Sequence, residues 1–142
     1  MLLTTFQLKP HDKSPRHIDV EVYSTAQSMQ DAAHAAGALS GTFQAAWAGL
    51  EKGERRNRGS FGTVYLFINE DVPYDALHEF VHAAAHYVRD VRGLDLNAAP
   101  TGDDAAPGEE LLAATVEHFA REFKTVMERR HSRMWNKLAH PA

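Results

Sequence analysis

The chain carries Leu77-His78-Glu79-Phe80-Val81-His82-Ala83-Ala84-Ala85-His86, and within it His-Glu-x-x-His. On a helix, residues four apart share a face and lie about 6 Å apart along the axis. His78 and His82 can then point at one metal ion. Glu79, one step round the helix, can reach a water on that ion without ligating it. Two neutral imidazoles suit zinc, and a carboxylate beside the water suits a general base. Most histidines on helices do no such chemistry, so the surrounding chain must supply a helix, a strand before it and a third ligand after it.

The strand and helix are legible. Thr63-Val64-Tyr65-Leu66-Phe67-Ile68 is dense in β-branched and aromatic residues and reads as a strand. Asn69-Glu70-Asp71 closes it. Pro73 suits the first turn of a helix, with Asp71 and Asp75 at its positive end. This helix should run to about Arg92 and stop at Gly93. Leu77, Val81, Ala84, Val88 and Val91 recur at helical spacing as a buried stripe, with His78 and His82 on its flank.

A catalytic zinc site has three protein ligands and an open position. His86 is too far along the helix: eight residues from His78 span about 12 Å. Glu109, Glu110 and Glu117 lie on the last helix, which Pro107 opens. Glu109 shares the side of Leu112, and Glu110 shares a flank with Ala113, Ala114 and Glu117. Spacing leaves the choice open, and the preference of acids for a helix N-terminus explains one acidic residue without any metal.

His78-Glu79-Phe80-Val81-His82 followed by Glu110-Leu111-Leu112-Ala113 resembles the zincin metallopeptidases of gluzincin type. Over residues 62–120 the chain is also similar to small single-domain zincin-like proteins of bacteria and their phages. The resemblance implies that His78, His82 and Glu110 bind Zn2+. It also implies that Glu79 takes the proton of a zinc-bound water attacking a peptide carbonyl, and that the partner is a peptide or protein substrate. The metzincin variant is not supported, since Ala85 and Val88-Arg89 stand where its Gly and third His would be. Tyr87, His86 and His118 are candidates for an extra transition-state donor. If Thr63–Ile68 is an edge strand, it can pair with an extended peptide.

Before this region, Leu2–Leu8 and the alternating Ile18-Asp19-Val20-Glu21-Val22-Tyr23 read as strands, joined by a polar loop, possible partners in a hairpin. Ser24 reads as the N-cap of a helix to about Ala36, with Gly37 as its stop and His34 a structural histidine. Thr42–Leu50 reads as a short helix or turn, and Gly53–Gly62, with Arg55, Arg56 and Arg58, as an exposed loop. Residues 94–107 read as a loop. The last helix has Leu112, Val116, Phe119, Phe123, Val126 and Met127 as its apolar stripe, with a pattern that can continue to Leu138.

The 142 residues suffice for one domain spanning 1–142. At 44% hydrophobic and 24% charged they have a globular composition. The net charge of −4 offers no general attraction to nucleic acid or anionic membrane. With no cysteine, a zinc site must use His and carboxylate. No leader or membrane span is evident, so the cytoplasm is the expected location. The expected fold is α+β: a small zincin-like domain with a short mixed sheet packed against the His-Glu-x-x-His helix and a long C-terminal helix. One rival function is a zinc-binding regulatory or interaction module that cleaves nothing. Another is a nucleic-acid or assembly protein acting through Arg129, Arg130, Arg133 and Lys137, a helix end that also suits a homodimer contact.

Overall fold

Alternation of apolar and polar residues puts Ile18, Val20 and Val22 on one fully buried face of β2 (His17–Tyr23). Its neighbour β1 (Leu2–Leu8) runs antiparallel to it, pairing Phe6 with Val20 and Leu8 with Ile18. On the other side β2 pairs in parallel with β4 (Ser60–Phe67), Val20 facing Val64. The short β3 (Ala46–Gly49) then pairs antiparallel with β4, Trp47 opposite Val64 and Gly49 opposite Gly62. The sheet order is β1-β2-β4-β3. This computed structural model describes residues 1–12, 14–37, 41–50, 59–96 and 107–139.

The fold is α+β, a four-stranded mixed sheet with four α-helices among the described residues. Helix α1 (Ala26–Ala35) packs Met29 and Ala33 against Tyr23, Ala46 and Tyr65. Thr25 is its N-cap, accepting from the Ser28 amide, one residue beyond the expected Ser24. Ser24 Oγ takes the terminal ammonium instead. Helices α2 (Val72–His86), α3 (Pro107–Arg130) and α4 (Ser132–Ala139) form a second core that includes Val20, Val64 and Leu66. The expected single C-terminal helix is interrupted at His131. The bend lets α4 bring Trp135, 4% exposed, onto Phe123 at 5.6 Å between ring centroids. Among the described residues no helix is long and apolar enough to cross a membrane.

Three further expectations change. Residues 46–49 are a strand rather than a helix or turn, because Trp47 lies edge-on to Phe61 and its ring covers Gly62. β4 begins at Ser60, so Ser60–Gly62 belong to the sheet rather than to a loop. Arg55, Arg56 and Arg58 lie outside the described residues. With β3 on its far side, β4 is a central strand and β3 is the edge.

The third change is in α2. Of the expected stripe Ala84 and Val88 are fully buried, but Leu77 and Val81 are 43% and 44% exposed, and Ala76, Phe80, Ala83 and Tyr87 are buried as well. Phe80 reaches both Phe119 and Phe123 of α3, at 5.8 and 5.5 Å between ring centroids. Tyr87 stacks on Phe61 at 5.3 Å. Two large rings bury more apolar area than Leu77 and Val81 would, so they set which way the helix faces. Past His86 the helix widens into a π-turn over Tyr87–Val91, where the Arg92 amide bonds the Tyr87 carbonyl at 2.8 Å. Gly93 follows with φ 68°, a left-handed stop that suits glycine.

Candidate active site

The rotation of α2 decides where the motif points. His78 and His82 each lie two residues from Phe80, so both stand about 160° round the helix from it, opposite the core. Both are exposed. Their Nε2 atoms face each other at 3.2 Å, with ring centroids 4.9 Å apart. Two nitrogens bound to one tetrahedral zinc at about 2.0–2.1 Å lie about 3.3–3.4 Å apart. The two rings share a hydrogen bond at a separation close to that of two zinc ligands.

Glu79 is one step round toward the core and only 7% exposed. Burial pushes its pKa above the ordinary value of 4.5; the Asp75 charge reinforces this and His78 opposes it. Asp75 lies one turn earlier, on the same stripe as Glu79. Burial and the charge of Asp71 raise its pKa, against the Asn69 hydrogen bond and His78. Tyr74, Asp75, His78 and Glu79 form one wall of an open cleft of about 410 Å³. Gln44 and Ala45, leading into β3, line it as well. The segment leading into the edge strand and the His-Glu-x-x-His helix thus border one cleft.

His86 ties α2 to β3 rather than adding a ligand. Its ring lies parallel to Phe61 at 6.1 Å and edge-on to Trp47 at 5.7 Å. Gly49 lacks the Cβ that would stand 2.8 Å from His86 Nδ1. Burial, the dominant cause, lowers the pKa of His86, which Asp90 and the Leu50 backbone partly offset.

The other candidates have different employment. Tyr87 Oη donates to both Asp12 oxygens at 2.8 and 2.7 Å, and Arg92 pairs with the same carboxylate. This cluster fastens the β1–β2 connection to the π-turn, on the core side of α2. His118 stands by His11, with ring centroids 6.2 Å apart. Glu110 is exposed, nine residues before Phe119 and so about half a turn round α3 from its core face. Glu117 is exposed and paired with Arg121 at 2.7 Å, and Glu109 is exposed. Among the described residues no three His, Cys, Asp or Glu side chains gather as a metal-holding group. The structure brings His78, His82 and Glu79 together and leaves Glu110 apart.

In the sequence Asp75 reads only as a helix N-terminal charge, and nothing marks Tyr74, Gln44 or Ala45. Spacing was enough for Asp75, which precedes His78 by three residues and Glu79 by four. Gln44 and Ala45 had no such signal, since their place depends on β3. In the basic C-terminal region, Arg130 lies over the Phe6 ring at 5.7 Å and donates to the Thr5 carbonyl at 3.0 Å. That side chain is engaged with β1. Comparison with known proteins finds no matching family model, no matching curated protein and no matching solved structure.

Proposed function

We propose that the chain is a zinc-dependent hydrolase acting on peptide bonds. The observation that carries the reading is the facing pair of Nε2 atoms at 3.2 Å with the buried Glu79 beside it. His78 and His82 would hold the ion. A zinc ion there supplies Lewis acidity, which makes water nucleophilic near neutral pH. Glu79 accepts the proton of the attacking water as the new C–O bond forms, then returns it to the nitrogen as the C–N bond breaks. Burial makes Glu79 a stronger base than a solvated glutamate. The outer edge of β3, which begins directly after the cleft residues Gln44 and Ala45, suits an extended peptide bound by backbone pairing. That role passes to β3 from β4, which is paired on both sides.

Glu110 completes the ligand set only if the first turn of α3 moves. Metal content of protein purified without chelator, for wild type, His78→Ala, His82→Ala and Glu110→Ala, tests the assignment. The expected result is about one zinc per chain in wild type, lost in both histidine variants. Loss in Glu110→Ala as well makes Glu110 the third ligand, and retention removes it. No zinc in wild type, even after zinc is offered, overturns the hydrolase reading.

A second reading is favoured by the absence, among the described residues, of a gathered third ligand. It is a metal-binding module that cleaves nothing. Glu79→Gln separates the two, leaving function intact in the module and abolishing it in the enzyme.

A further inference from the structure

The cleft beside the histidine pair holds more negative charge than a general base requires. Its lining includes Asp75 and Glu79, with no lysine or arginine among the described residues. Asp75 is half-buried: Asn69 is a side-chain hydrogen-bond partner of its carboxylate, while Oδ2 is buried and has no partner among the described residues. Glu79 is 7% exposed, and no hydrogen bond contributes to its environment. Two carboxylates one helical turn apart repel each other, and a buried carboxylate oxygen with no donor is costly. A positively charged donor would satisfy both.

One zinc ion on the histidine pair does not fill that need. Asp75 and His82 are seven residues apart, about 10 Å along the helix axis, beyond the span of ligands on a single ion. Tyr74, on the same wall, is 73% exposed and presents a free aromatic ring. Aromatic faces attract organic cations.

We propose that Asp75 and Tyr74 form a subsite for an organic cation of a peptide, which makes Asp75 a specificity-determining residue. The cation is a guanidinium or ammonium. It comes either from an Arg or Lys side chain near the scissile bond or from the α-ammonium of the peptide's first residue. As a substrate subsite this rests on the hydrolase reading. As a binding site it needs no metal.

The test is an NMR titration of the full chain, zinc-free and with zinc added, against three probes. Nα-acetyl-L-arginine N-methylamide carries a guanidinium, its citrulline counterpart is neutral, and L-alanine N-methylamide carries only an α-ammonium. The expected result is saturable shifts around Tyr74 and Asp75 with one of the cationic probes, and binding of the citrulline probe at least about tenfold weaker. Asp75→Asn should lose about tenfold in affinity, and Tyr74→Ala about two- to fivefold. Stronger binding of the arginine probe assigns the side-chain source, and stronger binding of the alanine probe assigns the chain terminus. Equal binding of the citrulline and cationic probes, no binding of any probe, or unchanged affinity in Asp75→Asn overturns the proposal. If Asp75→Asn does not fold, Tyr74→Ala decides, since its side chain is exposed and unchanged affinity there also overturns it. Cation binding by a wild type that takes up no zinc would defeat the hydrolase reading and leave the subsite standing.

Discussion

Glu79→Gln should abolish hydrolysis and also make the protein more stable at alkaline pH. Glu79 is 7% exposed, and burial, the largest cause, raises its pKa from 4.5. The folded protein therefore holds this proton more tightly than the unfolded chain does. The stability associated with it is complete below pH 4.5 and is lost as pH rises through the higher folded value. Above that point the folded state carries a buried carboxylate with little compensation. Glutamine keeps the shape and cannot ionise.

A buried group left without its partners costs on the order of 1–3 kcal/mol. The glutamine amide retains part of that cost, so the expected gain is about 1–2 kcal/mol. A chain of this length unfolds with an entropy of about 0.3 kcal/mol/K, so the gain is about 3–7 °C in Tm. The assay is thermal unfolding of both proteins from pH 4 to pH 8, with chelator present so that bound metal does not contribute. The curves should meet near pH 4 and separate as pH rises, with the variant higher. A difference that does not change with pH, or a variant less stable at pH 8, would refute the burial argument. Loss of activity without any gain in stability would leave Glu79 as a base whose carboxylate is well solvated.

Gly62→Ala should cost about 3 kcal/mol or more in chemical denaturation, because its Cβ would meet the Trp47 ring and stand 2.7 Å from the Ala48 carbonyl oxygen. An unchanged midpoint would mean that β3 does not lie on β4 as described. Phe80→Ala should cost about 3–5 kcal/mol by emptying the space between Phe119 and Phe123, whereas Leu77→Ala should cost less than about 1 kcal/mol. Equal costs would contradict the rotation of α2. Tyr87→Phe should cost about 1–2 kcal/mol, since it leaves Asp12 with Arg92 alone. Faster amide exchange near Asp12 would be its local signature, and its absence would dissociate the cluster from that connection.

Much of this architecture was legible because the signals are local. β2 and β4 follow from alternation and β-branched content, and α2 from Pro73 and Gly93 at its ends. β3 was not, since Ala46-Trp47-Ala48-Gly49 lacks β-branched residues and becomes a strand through what Trp47 covers across the sheet. The buried face of α2 was legible only in part for a related reason: Ala84 and Val88 are buried as expected, and Leu77 and Val81 are not. Leu77-Val81-Ala84-Val88 and Ala76-Phe80-Ala83-Tyr87 have the same four-three-four spacing, one residue apart. Periodicity cannot say which members of the two sets are buried; contacts with Phe119, Phe123 and Phe61 place Phe80 and Tyr87 inward and leave Leu77 and Val81 out. The histidine pair survived that error because His-to-His spacing is internal to the helix and does not depend on which face is buried.

The third ligand has no such protection, because it depends on how α3 is turned relative to α2. Phe119 and Phe123 both hold Phe80, and Gly108 abuts the Asp95 backbone so closely that an added Cβ would stand 2.6 Å from its carbonyl oxygen. These contacts fix α3 at two separated points along its length. Turning the whole helix by half a turn would bring Glu110 round. It would also expose Phe119 and Phe123 and bury Glu117 and Arg121, at a cost of several kcal/mol for the rings alone. A metal-driven rearrangement that recruits Glu110 must therefore be confined to the first turn of α3, ahead of the fully buried Thr115, and it must open the contact between Gly108 and the Asp95 backbone. Metal binding should then alter amide exchange over residues 107–112 while leaving 119–127 unchanged, and a change along the whole helix would exclude that route.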